Sequence, residues 1–76
     1  MKIDLSNSEW KLMNRLWQTA PMTITELTAA LREDTGWSKN TVITMLSRLE
    51  GKEAVRHEEG QRAKLYFPAV GREVAR

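Results

Sequence analysis

Cysteine is absent from this 76-residue chain, and histidine occurs once, as His57. Disulfides, thiolate nucleophiles and sulfur-ligated zinc are thereby excluded, leaving carboxylates as the available metal ligands. No apolar run approaches the roughly 20 residues that span a bilayer. The opening Met1-Lys2-Ile3-Asp4-Leu5-Ser6 also lacks the apolar stretch of a secretory signal, so a cytoplasmic protein without membrane association is expected. Glycine-rich phosphate loops, paired catalytic carboxylates and metal-ligand spacings are missing, and nothing sets a serine beside His57 to form a nucleophilic pair. No enzyme activity, metal or cofactor is expected, and His57 reads as a surface residue of a strand.

What is present describes an ordinary folded domain, with 41% hydrophobic and 29% charged residues. A chain this short buries only roughly 60% of the surface it exposes when unfolded, so its core must be compact and its loops short. One domain is expected over residues 1–76. The net charge of +2 hides an asymmetry: residues 1–36 carry four basic and five acidic side chains, residues 37–76 eight basic and five acidic. A basic half suits a polyanion partner but also suits solvated surface, so residue positions must decide.

Ser6 and Glu9 form a capping box, and Trp10, Met13 and Trp17 recur at helical spacing beside Leu12 and Leu16. A helix over 7–18 with these residues in the core follows. Thr23 and Glu26 make a second capping box, and Ile24, Leu27, Ala30 and Leu31 predict a helix over 24–33. Pro21-Met22, between the two, can supply a short edge strand. Gly36 breaks the chain, and Ser38 caps a third helix over 39–52 whose buried face is Val42, Met45, Leu46 and Leu49. Trp37, just before that cap, either staples the helix or stays partly exposed. Strands are predicted at 54–57 and 62–67, with Ala63, Leu65 and Phe67 on one side and Arg62, Lys64 and Tyr66 on the other. Pro68 ends the ladder, and residues 71–76 form a frayed tail. The fold class is α+β, mainly helical: a winged helix-turn-helix of three helices and a C-terminal two- or three-stranded wing.

Opposite its apolar stripe, the third helix presents Asn40, Thr44 and Ser47, flanked by Thr41 and Arg48. No acidic residue lies between Thr35 and Leu49. Such a face suits a phosphate-lined groove, where Asn pairs bidentately with adenine and Thr meets a base edge or a thymine methyl. Asn40 and Thr44 are the candidate base readers. Thr41, on the first turn, is suited to a phosphate oxygen, and Lys39 and Arg48 to the backbone. Arg62 and Lys64 fall near the hairpin tip, where a wing meets neighbouring phosphates or the minor groove. Edge protection by charge would explain them equally, and Glu58 and Glu59 partly cancel their field.

Three stretches carry a family likeness: Ser6-x-x-Glu9-Trp10-x-x-Met13-x-x-x-Trp17, Trp37-Ser38-x-x-Thr41-Val42-x-Thr44-Met45-Leu46-x-Arg48-Leu49, and Tyr66-x-Pro68. From about Leu5 to Pro68 the chain resembles the penicillinase-repressor family, of BlaI/MecI/CopY type. The resemblance implies a bacterial transcriptional repressor that binds as a homodimer to double-stranded operator DNA with TACA and TGTA half-sites arranged as a dyad. It also implies release by a signal, through proteolysis in β-lactam-responsive members or through a C-terminal cysteine cluster in copper-responsive ones. By position it assigns DNA contact to Lys39, Asn40, Thr41 and Thr44, with Arg48 on the flank and Arg62 in the wing.

Four departures from the family pattern bear on these expectations. Ile43 stands where a polar or charged residue is usual, so it either meets a thymine methyl or leaves a hydrogen bond unmade. Glu53 stands where a glycine usually closes the third helix, so either the left-handed cap is strained or Gly51 relocates the turn. Gly60-Gln61-Arg62 lengthens the hairpin tip relative to some members, which loosens the placement of Arg62. Family members continue into a helical dimerisation region that this chain is expected to lack. The competing reading is a winged-helix module whose third helix binds a partner protein.

Overall fold

The computed structural model of the protein describes residues 3–74. Helices α1 (Asn7–Gln18), α2 (Ile24–Thr35) and α3 (Lys39–Gly51) precede an antiparallel hairpin, β1 (Val55–Glu59) and β2 (Lys64–Pro68), and a 3-10 turn at Arg72–Val74. This is the three-helix and wing architecture expected from the order of elements. Among the described residues no helix is long and apolar enough to cross a membrane.

Each helix starts at a hydroxyl cap. Ser6 Oγ accepts from the Glu9 N–H at 3.2 Å while Glu9 Oε1 accepts from the Ser6 N–H at 2.8 Å, and Thr23 with Glu26 repeats the exchange at 3.1 and 2.9 Å. α2 runs on to Thr35, beyond the expected end at 33, because Gly36 supplies a left-handed stop at φ 68° and its N–H donates to the Arg32 carbonyl at 2.8 Å.

α3 closes differently. The Ala54 N–H donates to the Leu49 carbonyl at 2.9 Å and the Glu53 N–H to the Glu50 carbonyl at 3.0 Å, the paired bonds of a Schellman motif. Glu53 occupies its left-handed position at φ 62°, so Gly51 does not relocate the turn. A side chain with a Cβ costs roughly 1–2 kcal/mol in that region. Replacing Glu53 by Gly relieves this at the expense of a more flexible unfolded chain, and a net gain of ~0.5–1 kcal/mol is expected. It would read as a higher urea midpoint at unchanged slope; an unchanged or lower midpoint would mean that the Glu53 side chain contributes more than its strain costs.

The core sits where the three helices meet the sheet: Leu12, Met13 and Leu16 of α1, Leu27 and Leu31 of α2, and Val42, Met45, Leu46 and Leu49 of α3 are buried with Ala54, Val55, Met22 and Tyr66. The expected stripes of α2 and α3 therefore face inward, with Ile24 and Ala30 half-buried at the margin. Two expectations about the core fail in detail. Trp17 and Trp10 are half-buried, not core: Trp17 packs on the cluster and Trp10 meets it edge-on at 5.7 Å between ring centroids. For Trp17 the indole N–H explains this, since its Nε1 stays at the rim to donate to the Val70 carbonyl at 2.8 Å.

The second failure is the facing of β2. Tyr66 points into the core, Leu65 and Phe67 are half-buried and Ala63 lies exposed outside the strand. Tyr66 is held on both sides, by β1 and by Met22, which exchanges two backbone hydrogen bonds with it at 3.1 and 2.8 Å. The expected edge strand at Pro21-Met22 is thus a single bridge. Phe67 is covered from outside by the Arg56 guanidinium, 4.3 Å from the ring centroid. The tail is also not frayed over Gly71–Val74. Arg72 lies 4.9 Å over the Trp17 ring and donates to Asn14 Oδ1 at 2.8 Å, and the Ile3 N–H donates to the Val74 carbonyl at 2.8 Å. Ala75 and Arg76 lie outside the described residues.

Candidate nucleic-acid interface

α3 differs from the other helices at its start. Glu9 and Glu26 place a carboxylate in the first turns of α1 and α2, whereas the first turn of α3 holds no acidic residue and Thr41 takes the equivalent position. The partial positive charge of the α3 N-terminus is therefore left without a side-chain anion. Ser38 Oγ accepts from the Thr41 N–H at 3.3 Å and lies 3.2 Å from Thr41 Oγ1. Either hydroxyl can donate to the other; when Ser38 donates to Thr41 Oγ1, the Thr41 O–H is free to donate outward. That is the hydrogen-bonding state a phosphate oxygen requires.

The outward face follows the expected pattern. Lys39, Asn40, Thr41, Thr44, Ser47 and Arg48 are exposed, while Val42, Met45, Leu46 and Leu49 between them are buried. Among the described residues, no side chain of this chain hydrogen-bonds to those of Lys39, Asn40, Thr44, Ser47 or Arg48. The face therefore combines unspent donors and acceptors on a rigid helix with a packed back.

Among the described residues, the cations of the basic half sort into two groups. Lys52 donates to Glu9 Oε1 at 2.7 Å and to the Asp4 carbonyl at 3.0 Å, Arg56 pairs with Glu58 at 2.8 Å, and Arg72 is held by Asn14 and Trp17. These three serve the fold. Lys39 and Arg48 on α3, and Arg62 and Lys64 on the wing, are exposed and have no carboxylate partner among the described residues. Sequence alone could not separate the groups: Lys52 and Arg72 find their partners 43 and 58 residues away, and only Arg56 pairs with a near neighbour, Glu58 of the same strand.

Arg62 is not where the strand pattern put it. β2 starts at Lys64, opposite Glu59, and Arg62 lies in the tip between the strands, which the Gly60 N–H closes by donating to the Ala63 carbonyl at 3.0 Å. A Cβ at Gly60 would run into that same carbonyl, so the tip needs glycine there. Arg62 and Lys64 therefore do not share a strand face; Lys64 opens β2 and Arg62 lies in the tip loop, both exposed. His57 also departs from expectation. Its Nδ1–H donates to Glu50 Oε2 at 2.7 Å and its ring lies 5.6 Å from Tyr66, so it ties the end of α3 to the wing instead of standing free. Burial pushes the Tyr66 phenol up, with the charges of Glu50 and Glu59 adding to it.

A shallow cleft between α1 and α2, lined by Lys11, Asn14, Arg15, Gln18, Leu31 and Asp34, encloses about 150 Å³. Small-molecule sites run to roughly 300–1,000 Å³, well above this volume.

Comparison with known proteins bears on this geometry. The solution structure of the DNA-binding domain of the repressor BlaI superposes with a TM-score of 0.81 at 29% identity, covering 90% of this chain and 83% of that one. The Bacillus licheniformis BlaI monomeric form, solved in complex with the blaP half-operator, gives a TM-score of 0.79 at 29% identity, covering 91% and 84%. The penicillinase repressor of Bacillus licheniformis is 30% identical over 66 residues, which are 87% of this chain and 52% of that protein. The chain thus spans about half the length of that relative. The family model for the penicillinase repressor matches residues 5–76, and with nearly the whole sequence inside that match the chain belongs to the penicillinase-repressor family.

Proposed function

We propose that this chain binds double-stranded operator DNA as the DNA-binding domain of a bacterial transcriptional repressor in the cytoplasm. α3 enters the major groove, Asn40 and Thr44 read base edges, and Thr41, Lys39 and Arg48 hold phosphates. Arg62 and Lys64 carry the wing onto the adjacent backbone. The observation that carries this reading is the sorting of charge: among the described residues of the basic half, the cations without a carboxylate partner, Lys39, Arg48, Arg62 and Lys64, all belong to α3 or the wing. BlaI bound to a half-operator supports the view that one domain engages one half-site. For this chain that half-site is TACA or TGTA, and two copies meet across the dyad through a dimerisation region outside residues 1–76. A single domain lacks the avidity of linked half-sites and binds weakly.

Single substitutions test the assignment of roles. Asn40→Ala or Thr44→Ala should cost roughly 1–3 kcal/mol on the dyad and relax discrimination, while Arg48→Ala should weaken cognate and scrambled duplexes about equally. Equal losses of affinity and specificity in all three would contradict the division into base readers and phosphate clamps.

A further inference from the structure

Among the described residues Ile43 is the exposed large hydrophobic side chain, at 42% exposure. It belongs neither to the buried core nor to the apolar residues packed against it, so the fold does not account for it. It lies on α3 one turn after Lys39 and one turn before Ser47, and at about 100° per residue it falls between them on the flank of the polar face. A β-branched side chain is also a poorer helix former than most and is stiff at χ1, so it presents its methyl groups in a fixed direction.

Every exposed neighbour on that face can donate or accept a hydrogen bond, and Ile43 can do neither. On the floor of the major groove the apolar group offered by a base is the C5-methyl of thymine. We propose that Ile43 is a specificity-determining residue that reads one thymine through this methyl. The proposal rests on the DNA-binding reading above. Ile43 adds to it a purely apolar contact, which Asn40 cannot make and which Thr44 makes only in place of a hydrogen bond: preference for thymine over an otherwise identical base.

Uracil differs from thymine by that methyl alone. The test takes a duplex recovered by selection on this chain from a random pool and replaces each thymine in turn by uracil. Binding is then measured for the wild type, Ile43→Ala and Ile43→Val. At one position uracil should weaken the wild type about four-fold, the worth of one buried methyl-sized group at ~0.8 kcal/mol. Ile43→Ala should bind the thymine and uracil duplexes equally there, and Ile43→Val should keep most of the preference. Because position 43 is exposed and alanine is the better helix former, a loss of selectivity in Ile43→Ala is not a folding defect. A wild type indifferent to uracil at every position, or an Ile43→Ala variant that still prefers thymine as strongly, would overturn the role of Ile43 and leave DNA binding standing. A pool that yields no enriched sequence would overturn DNA recognition, and the Ile43 contact with it.

Discussion

Raising salt from 50 to 200 mM should weaken binding of this chain to a short duplex roughly a hundred-fold. The figure follows from the four cations that α3 and the wing leave unpaired, Lys39, Arg48, Arg62 and Lys64. Each phosphate contact on B-DNA releases counterions worth about 0.9 in the slope of log affinity against log salt, so four contacts give a slope near −3.6. Removing Arg48 or Arg62 should flatten the slope by about 1. Lys52, Arg56 and Arg72 have partners within the fold, so substituting them should leave the slope unchanged. A partner protein on the same α3 face would give a far shallower dependence. Isothermal titration or fluorescence anisotropy over that salt range separates the two, and a flat response would remove DNA as the partner.

Glu9→Ala should destabilise the fold by ~2–3 kcal/mol, the largest loss expected from any single polar side chain here. Glu9 is 4% exposed, yet it does three things: it caps the Ser6 N–H, accepts from Lys52 Nζ at 2.7 Å and so ties the start of α1 to the end of α3. Deleting it leaves a backbone donor uncapped and a cation without its partner. Fully buried pairs cost roughly 3–5 kcal/mol when one member is removed, and the smaller figure allows for Lys52, whose side chain is 41% exposed.

The same contact sets a pH dependence. Burial alone would push the Glu9 carboxyl up, but the hydrogen bond and charge of Lys52, with the Ser6 contacts, hold it below the ordinary value of 4.5. A depressed folded value means that the unfolded chain binds protons more readily. The stabilisation is therefore complete above 4.5 and is lost as pH falls from there through the folded value. Glu9→Gln should be less stable than the wild type near neutrality and converge with it in acid. Thermal unfolding of both proteins between pH 3 and 7 checks this, and parallel curves would show that the carboxylate charge contributes nothing.

The parts of this molecule legible in its sequence are those governed by short-range chemistry. Capping boxes at Ser6–Glu9 and Thr23–Glu26 locate two helix starts, and Gly36 and Ser38 frame the turn into α3. The facing of α3 follows from four apolar residues at helical spacing, which puts Asn40, Thr44 and Arg48 outside by default. The wing was less legible. Leu65, Tyr66 and Phe67 are all apolar enough for either face, so a period of two does not choose between them, and pairing with the remote Met22 decides for Tyr66. Arg62 escaped its strand because the tip closes through one backbone bond between Gly60 and Ala63, which residue alternation does not register. Likewise nothing near Glu9 in sequence announces Lys52, nor does His57 announce Glu50.

The most direct test of operator recognition is an NMR titration of the chain with a duplex carrying a TACA/TGTA dyad, beside a scrambled duplex of equal length and charge. Saturable shifts are expected at Asn40, Thr41 and Thr44 with the dyad alone, within a perturbed stretch spanning residues 39–48. Identical shifts with both duplexes, or none with either, would contradict operator recognition.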